Sequence, residues 1–197
     1  MTAPRGGTYP RPWTTDADPE RADVLIVGAS SAKAFHCDDV GDHDRFVDAL
    51  WNRNGRSCRE MYERATVTPS RTRPNLDRLS KMLKDRGCTP MQTNVACSSA
   101  RYDAELSTED RQHGTAIFRA VVHHVPWQAM IVYGVGASKR FGAALGVRLP
   151  PVPPPDSDPV WVAAFERPVF VSPTLAPPGY RNSVWPYLER VIEAIAR

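Results

Sequence analysis

Four short runs with strand character, each followed by small or polar residues, constrain the fold of this chain most strongly. They are Val24–Val27, Met91–Val95, Met130–Tyr133 and Val169–Val171. Parallel sheets covered on both faces are built from such largely apolar strands. Their ligands bind beyond the carboxyl ends of the strands. We therefore expect the loops after the four runs to line one crevice, and we look for the function there.

Segments with helical spacing of apolar residues separate these runs, and this alternation predicts an α/β fold. We expect a three-layer α/β/α sandwich around a central, mainly parallel four-stranded sheet, with Trp161–Phe165 as a further late strand. Residues 1–21 are rich in proline, glycine and charge, which predicts a loosely ordered lead-in. Residues 22–197 then form a single domain. The predicted helices are Asp44–Trp51, Leu76–Arg86, Ser107–His124 with Ser107 as N-cap, Ala137–Leu145 and Trp185–Ala196.

Composition excludes several classes of protein. The chain has 197 residues, of which 42% are hydrophobic, as in globular proteins. No run approaches the roughly 18 to 20 apolar residues that a membrane span needs, and the first residues lack the apolar core of a secretory signal. The four cysteines show no Cys-x-x-Cys spacing, so we expect no disulfide framework. We expect a cytoplasmic monomer without membrane contact.

The net charge of +3 is unevenly distributed. Between Arg45 and Arg101 the chain carries twelve basic and five acidic residues, a net charge of +7 for this basic segment. Such a segment can contact the phosphates of a nucleic acid. Solvated helix faces rich in arginine explain the same pattern equally well, so both interpretations stay open.

The order of strands and loops resembles the uracil-DNA glycosylase superfamily, from about Asp23 to the C-terminus. The strand that ends in Gly28-Ala29-Ser30-Ser31 is similar to the first motif of that family. Thr93-Asn94-Val95 is similar to its middle strand, whose asparagine reads the base. Ser172–Ala176, followed by Gly179-Tyr180-Arg181, lies where the family carries a histidine motif and an insertion loop. The resemblance implies a DNA partner and hydrolysis of the N-glycosidic bond of a damaged or modified base.

The resemblance also assigns roles to individual residues. Ser30 stands where the family has the carboxylate or amide that positions water, and Thr174 stands where it has the histidine. A neutral hydroxyl is a weaker partner than an imidazole, and loss of one donor to the developing anion typically costs about 10²–10³ in rate. The resemblance therefore predicts weak or altered activity. Its full set of site residues is Ser30 and Thr174 for catalysis, Asn94 and Phe35 for the base, and Tyr180, Arg181, Lys139 and Arg140 for DNA.

Other interpretations stay open at this stage. The chain is either a weak glycosylase, a catalytically silent DNA- or nucleotide-binding member of the same fold, or an unrelated α/β protein with similar architecture. Asn94 can instead cap the turn after its strand, and Phe35 can belong to the core. The histidines and acids around Cys37 fit no closed zinc site, and the cysteine spacing does not suit an iron–sulfur cluster, so we expect no metal and no cofactor.

Overall fold

The structure is a computed structural model that describes residues 2–31, 35–65, 70–99, 107–176 and 184–196. Its strands are β1 (Thr8–Tyr9), β2 (Val24–Ser31), β3 (Phe35–His36), β4 (Pro90–Ser99), β5 (Ala129–Tyr133), β6 (Val160–Ala164) and β7 (Arg167–Ser172). Its α-helices are α1 (Cys37–Val40), α2 (His43–Leu50), α3 (Cys58–Ala65), α4 (Arg73–Lys84), α5 (Thr108–His124), α6 (Val135–Leu145) and α7 (Val184–Ile195). Among the described residues, no helix is long and apolar enough to cross a membrane.

Five strands form the central sheet in the order β4-β2-β5-β7-β6, and a separate small sheet pairs β1 with β3. The strands β4, β2, β5 and β7 are parallel, so their carboxyl ends point the same way. This arrangement confirms the predicted α/β sandwich. The predicted count of four strands is one too low, because β6 joins the edge antiparallel to β7. A tight turn through Phe165 and Glu166, both with positive φ, makes this hairpin.

Helices cover both faces of the central sheet. The helices α5 and α6 pack on one face, where Phe118 and Phe141 lie against Leu25 and Met130. The helices α4 and α7 pack on the other face, around Ile26 and neighbouring strand residues. The strands β2, β5 and β7 are apolar on both sides for this reason, whereas the edge strand β4 is apolar on the face of α5 and α6 and carries Gln92 and Asn94 on the other.

The N-terminal segment, residues 8–15, is packed against the molecule and is not the loose lead-in that the sequence predicted. Tyr9 is buried in a third apolar cluster with Phe35, Phe46 and Tyr62. The backbone amide of Arg11 donates to the carbonyl oxygen of Cys97 at 2.7 Å. Further along, Thr14 and Gln92 exchange two backbone hydrogen bonds. The N-terminal segment therefore covers the outer edge of β4, which a composition rich in proline and glycine does not reveal.

The predicted N-cap of α5 is confirmed, whereas α3 was not predicted. The hydroxyl of Ser107 accepts a hydrogen bond from the amide of Asp110 at 3.0 Å, as an N-cap should. Gly87, after α4, has a φ of +82°, which suits glycine. In α3 only Cys58, Met61 and Tyr62 are buried, and the other side chains are mostly charged, so its apolar pattern is too sparse to stand out.

Candidate functional site

A small cavity lies between the sheet and the start of α4, toward the carboxyl ends of β2 and β5. Its volume is about 120 Å³. No aspartate, glutamate or histidine is among the described residues that line it, whereas two arginines are. We call it the arginine pocket, and it is lined by Arg11, Thr14, Ile26, Ser30, Tyr62, Ser70, Thr72, Arg73, Leu76, Gln92, Thr93, Asn94 and Tyr133.

Both arginines of the pocket are less than one-tenth exposed. The guanidinium carbons of Arg11 and Arg73 lie 4.9 Å and 4.5 Å from the ring centre of Tyr62, and that of Arg11 lies 4.6 Å from the ring centre of Phe35. Burial, with a smaller contribution from the positive charge of Arg73, lowers the pKa of Arg11 to about 10, although its hydrogen bond to Tyr62 opposes the shift. Arg11 thus remains charged at neutral pH. The aromatic rings contribute cation–π attraction to two like charges that lie close together.

Arg73 uses only part of its hydrogen-bonding capacity. Its Nη2 donates to the Oε1 of Gln92. Its Nη1 lies 3.6 Å from Asp77 Oδ1, which is too far for a hydrogen bond. Its Nε and Nη1 have no hydrogen-bond partner among the residues that the structure describes. Asp77 itself accepts two hydrogen bonds from Arg59, at 2.7 and 3.0 Å.

The predicted base-reading residue, Asn94, lies in the pocket beside Gly28 and Tyr133. Gly28 and Asn94 are paired across β2 and β4. A Cβ atom added to Gly28 would lie 2.5 Å from Asn94 Oδ1 and 2.4 Å from the hydroxyl oxygen of Tyr133. The two polar groups therefore occupy the space that a side chain at Gly28 would need. Burial raises the pKa of Tyr133 to about 12, so its hydroxyl keeps its proton at neutral pH.

The two predicted catalytic residues lie in different surroundings. Ser30 is exposed and lines the arginine pocket together with Asn94. Thr174 follows β7 and lies against Gly134, where an added Cβ would be 3.6 Å from the Cβ of Thr174. Its hydroxyl accepts a hydrogen bond from the amide of Ala176 at 3.1 Å. Thr174 is therefore close to Gly134, which directly follows the pocket residue Tyr133. Thr174 itself does not line the pocket.

Phe35 is fully buried in the third apolar cluster, and Arg11 covers its ring. The structure therefore places Phe35 in the core rather than on the pocket wall, which was the alternative explanation for an aromatic residue just after the first loop. A base could stack on this ring only if Arg11 moved.

The candidate DNA-binding residues are separated from one another. Burial lowers the pKa of Arg140, and its Nη1 donates to the carbonyl of Ala29 at 3.4 Å, close to the end of β2. Lys139 is exposed and lines a different, larger cavity of about 680 Å³. Tyr180 and Arg181 lie outside the described residues.

The sequence did not single out the residues that give the pocket its charge. Arg73 was one of twelve basic residues in the basic segment, without any sign that it is buried. Arg11 lay in the predicted lead-in. Tyr62 belongs to the unpredicted helix α3. A buried arginine can be recognised in a sequence only through its neighbours, and these neighbours are far apart along the chain.

Metal binding finds no support in the described part of the chain, where no three histidine, cysteine, aspartate or glutamate residues are grouped as a metal site would require. Cys58 and Cys97 are buried, and burial raises their pKa values to about 11 and about 12. Both are therefore neutral thiols at neutral pH. No protein-family model matches the chain, and no curated protein matches its sequence.

Proposed function

We propose that this protein binds a nucleotide unit, within single-stranded DNA or as a free nucleotide, at the arginine pocket. The observation that carries the proposal is that the amide of Asn94 and the guanidinium groups of Arg11 and Arg73 share one pocket. A side-chain amide offers a donor and an acceptor together, which matches the edge of a base. A guanidinium offers paired N–H donors that match phosphate oxygens.

The composition of the pocket favours binding over rapid hydrolysis. Activation of water requires a general base with a suitable pKa, and a serine hydroxyl such as that of Ser30 is too weak a base. Carboxylates and imidazoles are absent from the described residues that line the pocket. A silent, nucleotide-binding protein with the glycosylase-like architecture is therefore the first candidate.

Slow excision of a base is the second candidate, and the arrangement around Gly28 favours it. Asn94 Oδ1 and the hydroxyl of Tyr133 both lie over the backbone of Gly28 at the end of β2. The protonated hydroxyl of Tyr133 can donate a hydrogen bond to an anion that forms on a departing base. Such a donor would act without a general base, so we expect low rates.

A panel of single- and double-stranded oligonucleotides tests both candidates, each oligonucleotide carrying one modified base. We expect saturable binding at low salt, with abasic sites absent or formed slowly. The variant Asn94→Leu removes the amide at nearly constant volume, so base groups in the pocket lose their partners. We expect its binding free energy to be weaker by about 1–3 kcal/mol.

The matched control is Gln112→Leu, which removes an exposed amide on α5, a helix on the opposite face of the sheet from α4 and the pocket. We expect its affinity to equal that of the wild type. Equal affinity of the Asn94→Leu variant would remove Asn94 from the site. Excision of uracil at an ordinary enzymatic rate would contradict the binding function and would make the protein a glycosylase.

A further inference from the structure

We infer that the arginine pocket takes a terminal phosphate, a phosphomonoester dianion at the end of a nucleotide or oligonucleotide. The inference rests on the proposed function and specifies which part of the ligand enters the pocket. Four observations carry it: two buried cations, the uncommitted donors of Arg73, the start of a helix, and the size of the cavity.

Two buried cations lie in the pocket. Arg11 and Arg73 are both less than one-tenth exposed, and both stack on the ring of Tyr62. Asp77, whose Oδ1 lies 3.6 Å from Arg73 Nη1, also accepts two hydrogen bonds from Arg59, so it offsets only part of the charge of Arg73. Two positive charges that are kept out of water at one place are best compensated by one ligand with two negative charges.

Arg73 lines this pocket and has donors that are not used in hydrogen bonds. Its Nε and Nη1 are buried and make no hydrogen bond within the described part of the chain. A buried N–H group without a partner is unfavourable, and a phosphate oxygen would be a charged acceptor for it. The hydrogen bond from Nη2 to Gln92 fixes the orientation of the guanidinium while leaving these two donors available.

The start of α4 adds a third source of positive potential. Ser70 and Thr72 line the pocket just before the twelve-residue helix begins at Arg73. Thr72 is the N-cap residue, and its side chain makes no capping hydrogen bond. The amino end of a helix attracts anions through its partial positive charge. Here the amide of Arg73 already donates to the carbonyl oxygen of Ser70 at 2.9 Å and Pro74 has no N–H, so the contribution of α4 is this partial charge.

The volume of the pocket limits what can enter. About 120 Å³ is roughly four times the share of one liquid water molecule. Pockets that enclose a whole small-molecule ligand are usually about 300–1,000 Å³. The arginine pocket therefore suits an end group. A phosphodiester carries a single charge and continues on both sides of phosphorus, whereas a terminal phosphate has a free end with two charges.

The test compares two labelled single strands of identical sequence, one ending in a 5′-phosphate and the other in a 5′-hydroxyl group. We expect the phosphorylated strand to bind at least about tenfold more tightly to the wild type. A third strand with a 3′-phosphate establishes which end is recognised, and a preference for either phosphorylated end supports the inference. Equal binding of all three strands would overturn it and would leave the proposed function intact.

The variants Arg73→Lys and Arg11→Lys keep the charge and remove the planar fork of donors. We expect the ratio of the affinities for the phosphorylated and unphosphorylated strands to fall toward one in both variants. Circular dichroism checks that both variants fold. The control Arg148→Gln changes an exposed arginine outside the pocket and should keep the preference. A preference that survives in both lysine variants would overturn the location of the site.

Inorganic phosphate provides a readout that does not depend on DNA binding. We expect phosphate to raise the melting temperature of the wild type more than acetate does at the same ionic strength, and to lose this advantage in Arg73→Lys. If neither a strand nor a free nucleotide binds but phosphate still stabilises, the proposed function fails and the phosphate site stands. Equal effects of phosphate and acetate, without any preference between strands, would overturn the inference.

Discussion

Gly28 shows how closely the pocket is packed around one residue. Its φ does not lie in the left-handed region, so the backbone itself would accept a side chain. The obstacle is steric, because an added methyl group would overlap Asn94 Oδ1 and the hydroxyl of Tyr133, at 2.5 and 2.4 Å. Glycine at this position therefore lets two polar side chains approach the strand.

Gly28→Ala should accordingly disturb both stability and binding. Overpacking of a well-packed site usually costs about 1–3 kcal/mol, so we expect the free energy of unfolding to fall by that amount in urea titrations. Affinity for the oligonucleotides should fall as well, because Asn94 must move. Gly136→Ala is the matched control, since its added methyl group would make an ordinary contact at 3.7 Å with Ala29. A Gly28→Ala variant that matches the control in both measurements would show that the two side chains move aside freely.

At this scale the sequence predicted only the residues that directly follow or end a strand. Ser30 and Asn94 could be assigned to one pocket because parallel strands bring their carboxyl ends together. Thr174 follows the same rule, yet it lies against Gly134, one residue beyond the pocket. Arg11 and Arg73 could not be predicted, because their burial depends on Tyr62 and on long-range packing.

At the scale of the elements, buried strands were predicted well and small elements were not. The run Val24–Val27 is apolar on both sides because helices cover both faces of the sheet. The edge strand β6 has exposed and half-buried residues in alternation, with Trp161 exposed. Its place next to β7 depends on the turn at Phe165 and Glu166, where positive φ values occur without glycine, so the usual turn signal is missing.

The helix α5 provides a prediction about capping. The hydroxyl of Ser107 accepts a hydrogen bond from the backbone amide of Asp110 at 3.0 Å. The same hydroxyl donates a hydrogen bond to the side-chain carboxylate of Asp110 at 2.7 Å. Ser107→Ala removes both, and we expect the free energy of unfolding to fall by about 1 kcal/mol in urea titrations. The neighbouring Thr108→Ala, at an exposed helical position, should change stability by less than about 0.5 kcal/mol. A Ser107→Ala variant as stable as Thr108→Ala would show that the cap contributes little to folding.

At the scale of the whole molecule, the basic segment is less available for phosphates than its sequence indicates. Apart from the pocket residue Arg73, six of its twelve basic residues lie within 4.0 Å of an acidic side chain among the described residues. Arg59 is the clearest case, since it pairs with both Glu63 and Asp77. Several of the acidic partners lie outside the basic segment, as Asp16 does for Lys84. Folding therefore neutralises part of the positive charge of the basic segment through ion pairs with acidic residues.

The salt dependence of DNA binding should reflect this pairing. If all twelve basic residues contacted a single strand, the logarithm of the binding constant would fall against the logarithm of salt concentration with a slope of about −8. With about six of them available, Arg73 included, we expect a slope of about −4. Fluorescence anisotropy at several salt concentrations measures it. A slope near −8 would mean that the ion pairs open on binding, and a slope near zero would contradict a role for the basic segment.

The attachment of the N-terminal segment to β4 has a consequence for the order of folding. Arg11 is bonded through its backbone to Cys97, and Thr14 to Gln92, so residues separated by almost half of the chain must meet. Contacts between such distant residues form slowly, because a long loop must close before they contribute free energy. We therefore expect Arg11 to enter the pocket only after β4 has found its place in the sheet. During refolding, recovery of ligand binding should therefore lag behind recovery of helical signal, since the pocket is among the last parts of the molecule to be completed.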